Sequence, residues 1–357
     1  MPNAEHMTRT GGIQMVDGVR AQFDGTATEH DFREVAGQPG LQTLQCAVPV
    51  PDEMWTMVND VFCTARPDVE IRVYGFNGYA CDLHFLRHLT HVRRASLDGL
   101  MRVKRLETIA AMTRLESLRL GISELSDLSI LERIPAELTS LSLEATRSKK
   151  ASLAVLCRFR SLRALYLEGH HKDIEVLSEL TQLEDLTLRS ITTEDLSYLE
   201  PLPNLWSLDI KLGGIRNFNG IEGKESIKYL ELWQVRDLAE VGIVGRLPGL
   251  QNLFLQSLPQ VTAFPDLQEA GSLRRVVVEN MKGLSDFSAL QAAPVLEEFV
   301  LTDGKKQTPQ QLLPVLKNPA LRRIDAVFGS DKKDKEFERL REEYGKESHT
   351  WEAFTYC

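Results

Sequence analysis

The chain has 357 residues, 43% of them hydrophobic and 26% charged, and carries a net charge of −9. That composition belongs to a folded globular protein and excludes a disordered one. The acidic balance excludes a general nucleic-acid binder, which carries a basic surface. No stretch approaches the roughly eighteen apolar residues of a membrane span, so neither nucleic acid nor a membrane is expected as a partner.

In chain order, residues 1–40 read as an N-terminal flank or cap. The opening "MPNAEHMTRTGGIQMVDGVR" has no apolar run of signal-peptide length, which leads us to expect a cytoplasmic protein. Residues 1 to about 30 are polar and glycine-rich, and are expected to be partly disordered or to drape over the first strand. The five cysteines, Cys46, Cys63, Cys81, Cys157 and Cys357, are odd in number and scattered. Reduced thiols fit that pattern better than a disulfide framework.

Two strand-like segments follow, "LQTLQC" from Leu41 and "DVEIRV" from Asp68. Between them, "PDEMWTMVNDVFCTARPD" places Met54, Val58 and Val61/Phe62 at helical spacing and predicts a connecting helix. Next comes "CDLHFLRHLTHV", with Cys81, His84, His88 and His91 within eleven residues. On a helix, Cys81, His84 and His88 would share one face, and zinc sites are built from such residues.

From Val92 onward one pattern, L-x-x-L-x-L, dominates. It appears as "VRRASL" from Val92, "LESLRL" from Leu115, "LTSLSL" from Leu138, "LRALYL" from Leu162 and "LEDLTL" from Leu183. It continues as "LWSLDI" from Leu205, "IKYLEL" from Ile227, "LQNLFL" from Leu250, "LRRVVV" from Leu273, "LEEFVL" from Leu296 and "LRRIDA" from Leu321. Successive copies start 21 to 25 residues apart. The fourth and sixth positions alternate as in a strand, so both point into a core and the residues between them point away. A unit of this size cannot bury its own leucines and must stack on its neighbours. With the two earlier segments, about thirteen parallel strands are expected over residues 41–327.

The second half of the unit also repeats, as D-[LIF]-x-x-[LV]-x-x-φ, where φ is usually apolar. It starts at Asp82, Asp127, Asp173, Asp195, Asp237 and Asp286. The aspartate is placed to cap a short helical turn and the apolar residues to face the core. Aligned on this frame, His84 coincides with Glu175, Ser197 and Ser288, and His88 with Glu179 and Pro201. The histidines therefore fall on positions expected to face solvent, and no metal and no cofactor is expected.

These repeats resemble those of leucine-rich repeat proteins, and in style the 22- to 23-residue repeats of Sds22-like and internalin-type bacterial members. The resemblance implies an α/β solenoid, a right-handed horseshoe with parallel strands on the concave face and short 3₁₀ or helical turns on the convex face. It also implies an asparagine three residues after the last strand leucine. Here that position holds Ser123, Thr146, His170, Ile191 and Gly213, so other hydrogen bonds must replace the asparagine ladder. Residues 328–357 are expected to form a helical cap, "DKKDKEFERLREEYG" carrying Phe337, Leu340 and Tyr344 on one side.

No G-x-S-x-G and no phosphate loop is present, and "NGIEGKES" around Lys224 lacks the leading glycine and the Ser/Thr of one. The expectation is a non-enzyme whose binding surface is the concave face. Its outward positions start with Arg72, Tyr74, Arg94, Asp98 and Arg119, followed by Glu144, Tyr166, Glu168, Asp185 and Asp209. Further on lie Tyr229, Glu231, Trp233, Phe254, Gln256, Arg275 and Val277. Clustered exposed aromatics among carboxylates suit a binding hot spot. The expected partner is a protein presenting a basic or mixed-charge surface to the Glu144–Glu231 stretch. The role expected first is that of a bacterial immunity protein neutralising a toxin. The resemblance also allows a regulatory subunit of an enzyme such as a phosphatase, or a secreted host-targeting effector.

Overall fold

The strand "YLELW" shows how each repeat is made. Leu230 and Leu232 are fully buried, while Tyr229, Glu231 and Trp233 alternate with them on the opposite, part-covered face. Burying a leucine side chain in this way stabilises by about 2 kcal/mol, and the gain exists only once neighbouring repeats supply the rest of the core. The computed structural model describes residues 9–10, 12–75, 80–148, 151–350 and 352–357. They divide into two compact units, Met1–Leu180 and Thr181–Cys357.

In the first unit, β1 (Arg9–Thr10), β2 (Ile13–Met15) and β3 (Arg20–Phe23) pair antiparallel in turn. From β3 the pairing becomes parallel and passes through β4 (Thr43–Cys46) and β5 (Glu70–Tyr74). A small separate pair, β6 (Cys81–Asp82) and β8 (Val103–Lys104), flanks β7 (Arg94–Leu100). The main sheet runs on from β5 to β7, then to β9 (Ser117–Ile122), β10 (Ser140–Leu143) and β11 (Ala164–Glu168). Short 3₁₀ turns such as Leu83–His88 and Ile174–Glu179 return the chain.

The described part of residues 1–30 does not drape over the first strand; it extends the sheet. Met15 and Ala21 sit opposite each other, and Ala21 pairs in register with Leu44. Helix α1 (Glu29–Ala36) follows, with a reciprocal Thr28–Asp31 capping box. The physical reason is an aromatic plug on the open end of the stack. Phe23 meets Phe32 at 5.6 Å and Trp55 at 5.3 Å, and Trp55 stacks on Phe85 at 4.0 Å. The connecting helix exists, as α2 (Asp52–Met57) running into a π-helical turn, Val58–Cys63. It buries Trp55, Val58, Asn59, Phe62 and Cys63, so the inward stripe starts at Trp55 where Met54 was expected.

In the second unit seven strands run parallel. They are β12 (Asp185–Arg189), β13 (Ser207–Lys211), β14 (Tyr229–Trp233), β15 (Asn252–Gln256), β16 (Arg275–Glu279), β17 (Glu298–Thr302) and β18 (Arg323–Ala326). The register carries Asp185 to Ser207, Tyr229, Asn252, Arg275, Glu298 and Arg323 without a slip. A short helix α3 (Leu313–Leu316) lies in the last loop, and α4 (Asp331–Glu343) closes the core with Phe337, buried against Phe328 at 5.9 Å.

Two devices stand in for the asparagine ladder. At the ends of the strands Ser190, Leu212, Gln234, Ser257 and Asn280 adopt left-handed backbone, φ 48–56°. Each donates its N–H to the last strand residue of the next repeat: Ser190 to Lys211, Leu212 to Trp233, Gln234 to Gln256, Ser257 to Glu279 and Asn280 to Thr302. Elsewhere long polar side chains reach back to satisfy loop carbonyls of the preceding repeat. Arg158 serves Leu131 and Ile134, Gln307 serves Met281 and Leu284, and Asn318 serves Leu290 and Ala293. Among the repeated aspartates, Asp82, Asp127, Asp195 and Asp286 accept from the N–H two residues on. Asp173 and Asp237 instead take left-handed backbone themselves.

Candidate protein-binding face

The outward residues of the first unit are engaged with one another. Arg72 grips Asp98 with two bonds of 2.7 and 2.5 Å, and Ser96 donates to the same carboxylate at 2.8 Å. The guanidinium also donates to Gln45 at 3.2 Å and lies 4.3 Å from the Tyr74 ring. Tyr74 in turn donates to Gln22 at 2.7 Å. Burial opposes the charge on Asp98, but the Arg72 bonds hold its carboxyl below the usual range. Further along, Arg119 pairs with Glu144 at 2.6 Å and Tyr166 donates to Glu168 at 3.0 Å. Arg94 is exposed.

The second unit differs. Asp209 and Glu231 face each other across β13 and β14, and Lys211 bridges them at 3.0 and 3.1 Å. Asp209 Oδ1 is buried with no partner. Burial, reinforced by the Glu231 charge, pushes the Asp209 carboxyl up to about 6. Tyr229 donates to Glu231 at 3.0 Å, and burial raises its hydroxyl well above the ordinary phenol range. The Arg189 guanidinium lies 5.4 Å from the Trp233 ring, within cation–π range. Gln256 donates to Glu279 at 2.9 Å. Asp185 is exposed at the head of β12.

Next to this acidic pair the surface turns apolar. A hollow of about 230 Å³ is lined by Tyr229, Phe254, Val277 and Val300 together with Asn252, Arg275, His349 and Glu352. Asn252 is 8% exposed, and its Oδ1 is also buried without a partner. Tyr229, Trp233 and Phe254 occupy the outward positions expected of them, but all three are part-covered where open exposure was anticipated. Lys211 and Arg189 were missed, although strict alternation through "LTLR" and "LDIK" puts both on the outward face. Asn252 and Val300 sit at outward positions of their strands by the same rule.

The histidines of "CDLHFLRHLTHV" are not simply solvated. His84 and His88 approach the Asp52 carboxylate at 2.7 and 3.2 Å, and Arg87 pairs with it at 2.5 Å. The stretch therefore clasps the start of α2, a contact that no repeat frame predicts because only this repeat faces that helix. His91 Nδ1 lies 3.4 Å from Asn59 Nδ2. Cys81 points away into the core, where burial pushes its thiol up to about 12. Among the described residues no group of three or more His, Cys, Asp or Glu is arranged to hold a metal ion. No helix among them is long and apolar enough to cross a membrane.

No family model and no curated protein sequence matches the chain. Solved structures do resemble it. The leucine-rich-repeat chain in the Drosophila Toll–Spätzle complex is 13% identical with a TM-score of 0.54, covering 88% of this chain and 50% of its own length. An internalin, InlF from Listeria monocytogenes, is 15% identical over 94% of this chain and 87% of its own, with a TM-score of 0.48. A leucine-rich repeat protein from Leptospira interrogans is 15% identical over 89% and 92%, with a TM-score of 0.49. The present chain thus spans about half of the Toll chain it matches. The fold is that of leucine-rich repeat proteins, with parallel strands and short 3₁₀ turns.

Proposed function

We propose that the chain is a non-catalytic scaffold that binds a protein partner through the outward face of β13 to β16. One observation carries the reading: Tyr229, Trp233 and Phe254 stay part-exposed at outward positions, and Tyr229 and Phe254 line a hollow next to the Asp209–Glu231 pair, where one Asp209 oxygen has no hydrogen-bond partner. Tyr, Trp and Phe dominate interface hot spots because each removes a large rigid surface from water at low entropic cost. A rigid sheet further lowers the ordering cost of association. That a similar fold, Toll, is solved in complex with Spätzle supports the same use of the architecture.

The partner proposed is a protein with a basic or mixed-charge surface. A partner cation placed beside the Asp209–Glu231 pair would draw the Asp209 carboxyl back towards its ordinary range. The role proposed is toxin neutralisation in the cytoplasm of a bacterium, by covering a toxin's active site; the net charge of −9 suits a basic target. Affinity capture from native extract, comparing wild type with Trp233→Ala plus Phe254→Ala, tests the face. Recovery of the captured protein is expected to fall at least tenfold. Unchanged recovery by a folded double variant overturns the assignment. Co-expressing the captured protein alone and with this chain then tests the role: growth arrest relieved by the chain is the expected result, and no arrest removes the toxin reading.

A further inference from the structure

The residues after α4 do more than finish a cap. The chain turns at Gly345, φ 63°, and Glu347 adds a single parallel bridge beside Arg323. From there it runs back across the beginnings of the strands towards lower numbers. Ser348 and the His349 N–H bind Asp325 of β18 at 2.9 Å, and His349 Nδ1 lies 2.6 Å from Glu298 of β17. The Glu352 carbonyl accepts from Arg275 at 3.3 Å, and the Thr355 carbonyl accepts from Arg274 at 3.1 Å. The main chain of Cys357 pairs both ways with Gln251, donating at 2.9 Å and accepting at 3.1 Å, and also accepts from Lys228. Tyr356 accepts from Asn252 at 3.1 Å and sets its ring against Trp206, 5.0 Å away and just before β13. At ~4.8 Å per strand, the path from β18 to β13 is about 24 Å. A fully extended run of ten residues reaches ~33 Å, enough to span that path.

Most of these bonds hold main-chain atoms, so they would hold any extended peptide. Among the described residues, sequence preference is added by the side chains of Ser348, His349 and Tyr356, which bind Asp325, Glu298 and Asn252, and by two aromatic contacts. Phe354 lies 5.2 and 5.3 Å from the Arg274 and Arg275 guanidinium groups, and Tyr356 packs edge-on to Trp206. We propose that this rim is a peptide-binding track, filled in cis by residues 348–357, and that it takes an extended partner segment carrying two aromatic residues two positions apart. The cis segment holds its place through proximity, which is worth an effective concentration in the millimolar range. It borders the hollow at His349 and Glu352 without filling it. A partner segment that makes the same main-chain bonds and also fills the hollow gains contacts the cis segment lacks. This site lies on the strand beginnings, shares the hollow with the proposed binding face, and does not depend on the role proposed for Trp233.

The test uses the full chain with Phe354→Ala and Tyr356→Ala, which loosens the segment and leaves the rim intact. The probe is a fluorescein-labelled synthetic peptide of residues 346–357, read by anisotropy. Binding at least tenfold tighter than to wild type is expected, with loss of that binding when Trp206→Ala and Gln251→Ala are added. A peptide with both aromatics changed to alanine should bind at least tenfold more weakly. Backbone exchange over residues 352–357 of the wild-type chain provides a second reading, with protection expected and full exposure counting against the docked segment. No binding to the loosened chain, or binding indifferent to Trp206 and Gln251, overturns the proposal. Trp233→Ala should leave peptide binding unchanged, which separates this site from the partner-binding face.

Discussion

The outward faces of the two units carry similar residues and put them to different uses. In the first unit, Arg72, Asp98, Gln45, Tyr74 and Gln22 form one closed network in which each polar group answers another. In the second, Lys211 neutralises Asp209 and Glu231 only in part. One carboxylate oxygen is left bare there, and the surface opens into an apolar hollow beside it. Outward position and residue type are therefore poor guides to a binding site by themselves. What separates a structural network from a receptive one is whether its charges and hydrogen bonds are already satisfied. The strand ends differ as well. Directly after β5 and β11 the first unit turns left-handed at Gly75 and Gly169, and after its strands the second places Ser190, Leu212, Gln234, Ser257 and Asn280.

The largest expected effect breaks the closed network. Asp98 is 8% exposed, so Asp98→Ala strands the Arg72 guanidinium in a part-buried site without its ion-pair partner. Removing one member of such a pair costs about 3 kcal/mol, measured as a fall in urea-unfolding free energy at neutral pH. A loss below about 1 kcal/mol would mean the network is dispensable and the contrast between the faces false. The reverse is expected at Asp209. Its folded value near 6 stands above the ordinary 3.8. The folded protein therefore holds a proton that the unfolded chain has lost between those values, and stability falls as pH rises through that window. Above pH 6 the penalty is complete, on the order of 3 kcal/mol. Asp209→Asn removes it, so the variant should match or exceed wild type at pH 7 and lose that advantage below about pH 4. A variant less stable than wild type at pH 7 would show that the Lys211 bridge outweighs the desolvation.

Much of the fold was legible because a strand with a buried alternate face leaves a period that survives substitution. All thirteen strand starts from Leu41 to Leu321 lead into observed parallel strands. The repeated aspartates were legible where they cap, as at Asp127 and Asp286, because an acceptor two residues before an N–H is a local geometry. What escaped depends on contacts between distant parts of the sequence. Nothing in "RAQF" announces that Arg20–Phe23 will pair with Thr43–Cys46, since its apolar partners Trp55 and Phe32 come from helices further on. The His84–Asp52 clasp was invisible for the same reason. The docked C-terminal segment has no period at all, and the main-chain carbonyls of Glu352, Thr355 and Cys357 are held by Lys228, Gln251, Arg274 and Arg275, four residues on three successive repeats. On the candidate face, the outward aromatics were legible from alternation, whereas their partial cover was not, because it depends on how far neighbouring side chains reach across the sheet.

The smallest effect sharpens the contrast at the strand ends. Gln234 is exposed, sits at φ 48° and donates its N–H to Gln256 at 3.0 Å. A side chain in that backbone region costs about 1–2 kcal/mol, which glycine avoids. Glycine also makes the unfolded chain more flexible, and that takes back roughly 0.5–1 kcal/mol. Gln234→Gly should therefore leave stability unchanged or raise it by up to about 1 kcal/mol, and thermal unfolding of the folded variant reads the sign. At Gly169, with φ 74°, the opposite substitution Gly169→Gln meets the same backbone penalty and is expected to destabilise by about 1 kcal/mol. If Gln234→Gly proved destabilising, the Gln234 side chain would have to contribute contacts beyond the ladder bond. The left-handed ladder of the second unit would then be held by its side chains as well as by its backbone.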